Sequence, residues 1–316
     1  MIRFLLRRSL QAVVVVLVVT VVVFVLLHQL PGGPARAVLG ARATPSQVAF
    51  FNHQNGLDRP LVAQYFTTLG HWAGGNFGFS YTLNQSVGSL MMQRLPKTLV
   101  LNLLALLLTI VVAVPLGIYQ AVRRNKAFDY LATGVSFVLY AAPVFFLGVV
   151  MLVFFSQELN LFPPEAPQGD GVGPIFAEPR AMVLPVVTLA FLGIAGFSRY
   201  MRSSVLDNIN QDYVRTARAK GCSSGRVLTR HVLRNAMIPI VTLIGLSLPT
   251  LFAGALVTES IFNFPGMGLL FWQAAQDSDY PVELGVVLVT AVATVIGTLL
   301  ADICYAVIDP RVRLGA

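Results

Sequence analysis

The chain has 316 residues, 56% of them hydrophobic and only 11% charged, with a mean hydropathy of +0.73. Soluble proteins carry about a quarter of their residues as charges, so the composition excludes a water-soluble enzyme and points to an integral membrane protein. A net charge of +8 suggests nucleic acid only where the cations gather on a soluble face; here they follow membrane topology instead, and no nucleic-acid partner is expected.

Arg3, Arg7 and Arg8 precede an uncharged run from Ser9 to Leu30, long enough to cross a bilayer as a helix. Ala35-Arg36-Ala37 fits a signal-cleavage pattern. The apolar run nevertheless exceeds the roughly 7–15 residues of a signal-peptide core, so residues 1–30 are expected to be a cytoplasmic start and a retained first span. Residues 31–97 are polar and too long for a bare loop. They are expected to form a small extracytoplasmic module, in which Pro60 starts a helix with Leu61, Tyr65, Leu69 and Trp72 on one face.

The core, 98–308, supplies five further spans: Thr98–Ile118, Tyr130–Phe155, Met182–Met201, Met237–Val257 and Leu284–Ile308. Pro115, Pro143, Pro239 and Pro249 fall within them, as membrane helices tolerate. Asp309-Pro310-Arg311 opens a tail, 309–316. The expected fold is therefore all-α, with six transmembrane helices and both termini on one side.

Between the fourth and fifth spans lies 203–236, long, hydrophilic and basic. Val205, Ile209, Tyr213 and Ala217 recur every four residues, one stripe of a helix. Gly221 sits where a C-cap glycine belongs. Ser223 or Ser224 can cap a second short helix, with Leu228, His231, Val232 and Asn235 on one face and Arg226, Arg230 and Arg234 on another. Such a segment reads as a docking surface. Its arginines repel one another slightly at this spacing and call for something anionic, either lipid headgroups or an acidic protein.

The side of the membrane follows from counting. Fifteen Lys and Arg fall on the termini's side and six on the other, with Arg199 inside the fourth span. Positive loops stay in the cytoplasm, so both termini and 203–236 are expected there. Cys222 and Cys304 then face a reducing compartment, and no disulfide is expected.

No catalytic constellation is present. The sequence lacks H-E-x-x-H, its four His are scattered, and Gly221–Gly225 lacks the G-x-x-x-x-G-K-[ST] phosphate loop. No catalytic, metal or cofactor-binding residues are expected. Arg199 and Asp302 are charges within spans, readable as a structural pair near the cytoplasmic rim or as part of an ion relay.

Asp212-Tyr213-Val214-Arg215-Thr216-Ala217-Arg218-Ala219-Lys220-Gly221, followed by Leu233-Arg234-Asn235-Ala236-Met237-Ile238-Pro239, resembles the cytoplasmic coupling loop of binding-protein-dependent ABC importer permeases. The resemblance is narrowest to the first permease of the dipeptide/oligopeptide/nickel branch. Arg3 to Arg8, Leu57-Asp58-Arg59-Pro60-Leu61, Arg94-Leu95-Pro96-Lys97-Thr98-Leu99, Glu259 through Gly268, Asp279-Tyr280-Pro281 and Asp309-Pro310-Arg311 resemble that branch at matching places along the whole chain. Two departures stand out. Arg215-Thr216-Ala217 replaces the Glu-Ala-Ala of the broader family, as is usual in the peptide branch. Pro31-Gly32-Gly33-Pro34 has Gly where the branch often has Asp.

The resemblance implies a type I importer permease of the plasma (inner) membrane, moving peptides or a related solute such as haem, glutathione or a nickel complex. It implies a second permease subunit in a heterodimer, two ATPase subunits carrying ATP and magnesium, an extracytoplasmic substrate-binding protein, and surrounding lipid. The coupling residues would be Tyr213, Arg215, Thr216, Ala217, Arg218, Ala219, Lys220, Gly221, Arg226, Arg230 and Arg234. Tyr65, Trp72, Glu259, Phe264, Asp279 and Tyr280 would meet the binding protein. The rival classes are a stand-alone ion-gradient-driven secondary transporter or channel, which would need several ionisable groups near the bilayer midplane, and a membrane-embedded hydrolase.

Overall fold

The computed structural model describes the backbone of residues 2–29, 33–40, 42–54, 56–80 and 82–308. The expected tail 309–316, and Pro31 and Gly32 of the turn after the first span, lie outside the described residues. In chain order the helices are α1 (Ile2–Gln29), α2 (Gly33–Leu39), α3 (Pro45–Gln54), α4 (Leu61–Ala73), α5 (Val87–Val122), α6 (Ala127–Ala141), α7 (Val144–Met151), α8 (Gly173–Ala177), α9 (Pro179–Ile209), α10 (Asp212–Ala219), α11 (Ser224–Arg226), α12 (Leu233–Ala236), α13 (Ile238–Ser247), α14 (Leu256–Ile261), α15 (Met267–Gln276) and α16 (Tyr280–Ile308). The short strands β1 (Phe79–Ser80) and β2 (Gln85–Ser86) pair antiparallel before α5.

Four helices are long and apolar enough to cross a membrane: Leu6–Gln29, Val87–Val122, Pro179–Ile209 and Tyr280–Asp302. The number becomes six if two bent pairs each count as one span, Ala127–Ala141 with Val144–Glu158 and Ser224–Ala236 with Ile238–Leu251. The first pair turns by 107°. Its cause is Pro143, which has no N–H and forces the residue before it out of the helical region; Ala142 leaves the helix at ψ 132°. The third expected span is thus a broken one. Pro185, by contrast, lies inside the continuous α9. The second span begins early, at Val87, so the last residues of the expected extracytoplasmic module are helix continuous with it.

The contacts divide the chain into two units, one of residues 1–99, 168–176 and 249–316, the other of 100–167 and 177–248. In the first, α1 packs along α16, and Arg8 meets Asp302 at 3.0 Å. The α4 helix is fastened to α1 by Tyr65, whose hydroxyl lies 2.9 Å from Thr20 Oγ1, and by Gln64 Oε1 at 2.9 Å from the His28 ring. A core of Val87, Leu90, Met91, Met267, Leu270, Val282 and Val286 joins the start of α5 to α15 and α16.

The second unit is built around α9, which packs against α6, α7, α12 and α13. Asp129, buried in the first turn of α6, is held there by Arg202 of α9. A second core runs from Ala121 through Met201 and Val205 to Val214, Ala217, Val227, Val232, Ala236 and Ile240. That core carries the hydrophilic segment.

Candidate functional site

The stripe Val205–Ile209–Tyr213–Ala217 does not lie on one helix. The α9 helix stops at Ile209, and α10 starts afresh at Asp212 with Gln211 as its extended N-cap. Both pieces still face the same core. Val205 and Ala217 are buried in it, together with Val214, and Ile209 and Tyr213 pack against its edge. The Tyr213 hydroxyl donates to Asn208 Oδ1 at 2.8 Å, closing the corner between the helices. Asp212 in the first turn and Arg218 in the last complement the helix dipole.

The turn after α10 is a Schellman motif. The Cys222 N–H donates to Ala217 O at 3.2 Å and the Gly221 N–H to Arg218 O at 2.9 Å, inside the first bond. This geometry puts Gly221 at φ +76°, a left-handed conformation that glycine adopts without steric cost.

The second half of the segment differs from expectation. Ser223 is the N-cap residue, although its side chain makes no capping bond. Residues Val227–Val232 then form a π-helical turn. A wider turn shifts the register, so the buried positions are Val227, Val232 and Ala236. Leu228 is half-buried, His231 is likewise, and Asn235 is exposed. Ser204 donates from Oγ to Ala236 O at 2.9 Å, fastening α9 to α12.

Of the expected coupling residues, Arg215, Thr216, Arg218, Ala219, Lys220, Gly221, Arg226, Arg230 and Arg234 are all exposed, Tyr213 is half-buried and Ala217 is buried. The only ion pair in this group among the described residues is Arg215 with Asp212 at 3.4 Å, between highly exposed side chains. Pairs of that kind contribute little. The segment is therefore a ridge with an apolar root and a polar, strongly basic crest.

The residues expected to meet a binding protein behave differently, and three need correction. Glu259, Phe264 and Asp279 are buried, so their side chains present no surface to a partner. Asp279 accepts a short hydrogen bond from the Ser80 hydroxyl, tying β1 to the start of α16. Tyr65 turns towards α1 and lies edge-on to Phe24. Trp72 lines a cavity of about 330 Å³ in the first unit with His71, Thr68 and Phe77, and Tyr280 is half-buried.

Glu259 sits at the centre of a built polar site. Its Oε1 accepts from Thr98 Oγ1 at 3.0 Å and from the Ala255 N–H at 3.2 Å, and its Oε2 from the Leu269 N–H at 2.9 Å. Thr98 Oγ1 in turn accepts from the Met267 N–H at 2.8 Å. The carboxylate thus lies at the N-terminus of α15, where orphan N–H groups and the dipole favour negative charge. Burial pushes its pKa up, while the donors from Leu269, Ala255 and Thr98 pull the other way. Gly266 and Gly268 permit this approach, since a Cβ on Gly266 would stand 2.5 Å from Glu259 Oε2 and one on Gly268 would stand 2.6 Å from Leu256 N.

Arg199 and Asp302 are not partners of each other. Asp302 pairs with Arg8, and Arg199 lies over the Tyr140 ring at 5.0 Å. A further ion pair joins buried Asp129 to half-buried Arg202, which sequence reasoning missed. Asp129 falls just before the expected third span, and its one signal was an acid in the first turn of an otherwise apolar helix.

Comparison with known proteins bears on the whole chain. Residues 113–314 match the family described as the binding-protein-dependent transport system inner membrane component, and residues 1–102 match the N-terminal part of such membrane components. The chain is 37% identical over 312 residues to the oligopeptide transport system permease protein AppB of Bacillus subtilis, covering 98% of this chain and 99% of that one. It is 34% identical over 336 residues to the dipeptide transport system permease protein DppB of Escherichia coli K12, covering 99% of each. It is 32% identical over 332 residues to the protein of that same name from Alkalihalophilus pseudofirmus, covering 99% of this chain and 100% of that one. The chain therefore belongs to the inner-membrane permease components of binding-protein-dependent ABC transport systems, a family of type I helical architecture.

Proposed function

We propose that this permease moves peptides inward, and that segment 212–236 is the surface through which separate ATPase subunits drive it. The observation that carries the reading is the ridge itself, with Val214, Ala217, Val227 and Val232 rooted in the core of α9 and the polar and basic residues of the crest exposed. A crest so placed receives a partner without disturbing the core beneath it. The chain has no phosphate-binding loop of its own, in keeping with ATP and magnesium being bound on the partners.

In this reading both termini and the ridge are cytoplasmic, as the excess of Lys and Arg on that side favours. Residues 1–30 bring the chain into the membrane, 31–97 lie outside, 98–308 are the transport core and 309–316 the tail. A second, different permease completes the pathway, and an extracytoplasmic binding protein delivers substrate. ATP-driven closure of the ATPases displaces the two ridges and rocks the bundles between outward- and inward-facing states. The peptide class rests on the relatives' substrates, oligopeptides for AppB and dipeptides for DppB.

The test is cysteine crosslinking of the assembled transporter. Cysteine at Thr216 should crosslink to an ATPase subunit in a nucleotide-dependent way, and cysteine at Asn160 should not. Crosslinking confined to Asn160, or peptide uptake by the pure chain without ATP, would sink the reading.

A further inference from the structure

The second unit holds a pocket of about 210 Å³ that the coupling ridge does not use, formed where α5, α6 and α9 meet. Its polar lining is Gln120, Thr133, Ser136, Ser198, Arg199 and Arg202. The two arginines are in opposite situations. Arg202 is spent on Asp129, with Nε and Nη2 each donating at 2.7 Å. Arg199 lies over Tyr140 at 5.0 Å and Phe137 at 5.9 Å, and among the described residues no carboxylate or carbonyl accepts from it.

An exposed guanidinium without a counter-ion on a membrane-spanning helix is costly, and such groups find anionic partners. Gln120 lies in the wall of the same pocket. It is buried, its Nε2 donates to Thr133 Oγ1 at 3.4 Å, and its Oε1 has no partner. Arg199 thus brings an exposed cation to the rim of a pocket whose walls are mostly apolar.

The position suits a lipid. The apolar run of α9 ends at Met201, and Arg202, Ser203, Ser204 and Asp207 follow; at about 1.5 Å per residue, Arg199 lies within one turn of that boundary. Exposed Tyr140, Phe137 and Tyr200 flank it, the aromatic setting typical of the membrane interface. Basic pockets between membrane helices at this level hold phospholipid headgroups.

We infer that an anionic phospholipid binds at this pocket, with Arg199 at its rim taking the phosphate. The test uses the full transporter in nanodiscs with spin-labelled phosphatidylglycerol, reading the immobilised fraction against spin-labelled phosphatidylcholine. Wild-type protein should prefer phosphatidylglycerol, and Arg199→Gln should lower that preference about fivefold. Tyr140→Leu, which removes the stacking surface but no charge, should lower it as well, so the result does not rest on one variant. Arg124→Gln, on the exposed turn at the same end, should leave it unchanged. Unchanged preference in Arg199→Gln, or an equal loss in Arg124→Gln, overturns the assignment in favour of diffuse surface charge. Displacement of the label by excess inorganic phosphate would make it a free-anion site, and displacement by excess trialanine would make it part of the substrate path. Either outcome overturns the lipid.

Discussion

Arg202 grips Asp129 with two parallel hydrogen bonds of 2.7 Å, joining α9 to the first turn of α6. A fork-on-carboxylate pair has both strength and fixed geometry. Removing one partner leaves a charge stranded in a buried place, which costs about 3–5 kcal/mol. Arg202→Met is expected to lower thermal stability in detergent by that order. The double change Arg202→Met with Asp129→Leu should recover most of it, since a well-packed apolar pair replaces a buried ion pair at little cost. Equal loss in the single and the double variant would show that the charges matter for something other than mutual neutralisation.

Glu259 predicts a pH dependence for the first unit. Burial raises its folded pKa above the ordinary 4.5, so the folded state holds the proton more tightly than the unfolded chain does. Stability from this group is fully present below the unfolded value and is lost as pH rises through the folded one. Melting temperature followed from about pH 4 to about pH 8 should fall along this limb. Glu259→Gln should flatten it. A wild-type profile that rises across the same window would contradict the burial argument.

Gly268→Ala should be more damaging than Gly266→Ala. The added methyl on Gly268 meets backbone, Leu256 N and Cα at 2.6 Å, whereas that on Gly266 meets the Glu259 carboxyl and the Thr98 hydroxyl. Side chains can shift and backbone cannot do so cheaply. Overpacking costs about 1–3 kcal/mol, and Gly268→Ala should fall at or beyond the upper end, as measured by detergent unfolding.

Gly221 poses a purely conformational question, because no atom lies within 4 Å of where its Cβ would be. Gly221→Val strains a left-handed position by about 1–2 kcal/mol and should weaken the Schellman turn. Gly221→Asn, which tolerates that region, should behave like wild type. The readout is the ratio of ATP hydrolysed to peptide imported in proteoliposomes. A rise in the ratio for Val alone supports the turn as a rigid link in coupling.

Reversing Arg226, Arg230 and Arg234 to Glu should cut the ATPase subunits retained on purification by at least about tenfold, with membrane insertion near wild type. Equal loss of both would make these arginines lipid contacts.

The first, second, fourth and sixth of the expected spans were legible because hydropathy is summed over many residues and survives local irregularity. Gly221 was legible because a glycine after an amphipathic helix has a narrow range of uses. The break at Asn210–Gln211 and the π-helical turn at Val227–Val232 were not, since a register shift leaves composition unchanged while parting exposed Asn235 from buried Val232, with which it was expected to share a face. Pro143 signalled an irregular span but not a turn of 107°. The burial of Glu259, Phe264 and Asp279 was not legible, because a resemblance places a loop on one side of the membrane without saying which of its side chains turn inward. The signal that could have corrected this was Pro265-Gly266-Met267-Gly268, small residues where backbone closes on a carboxylate.

The bond from Ser204 to the carbonyl of Ala236 has a mechanical meaning. A loop suspended between two helices stretches before it transmits load, and a tug on it is absorbed as slack. Here the far end of the segment is bolted back onto α9, and Val214, Ala217, Val227 and Val232 fill the space between. In the proposed coupling, a displacement applied to the crest would reach α9 through packed side chains and this bond, as leverage on a bracket.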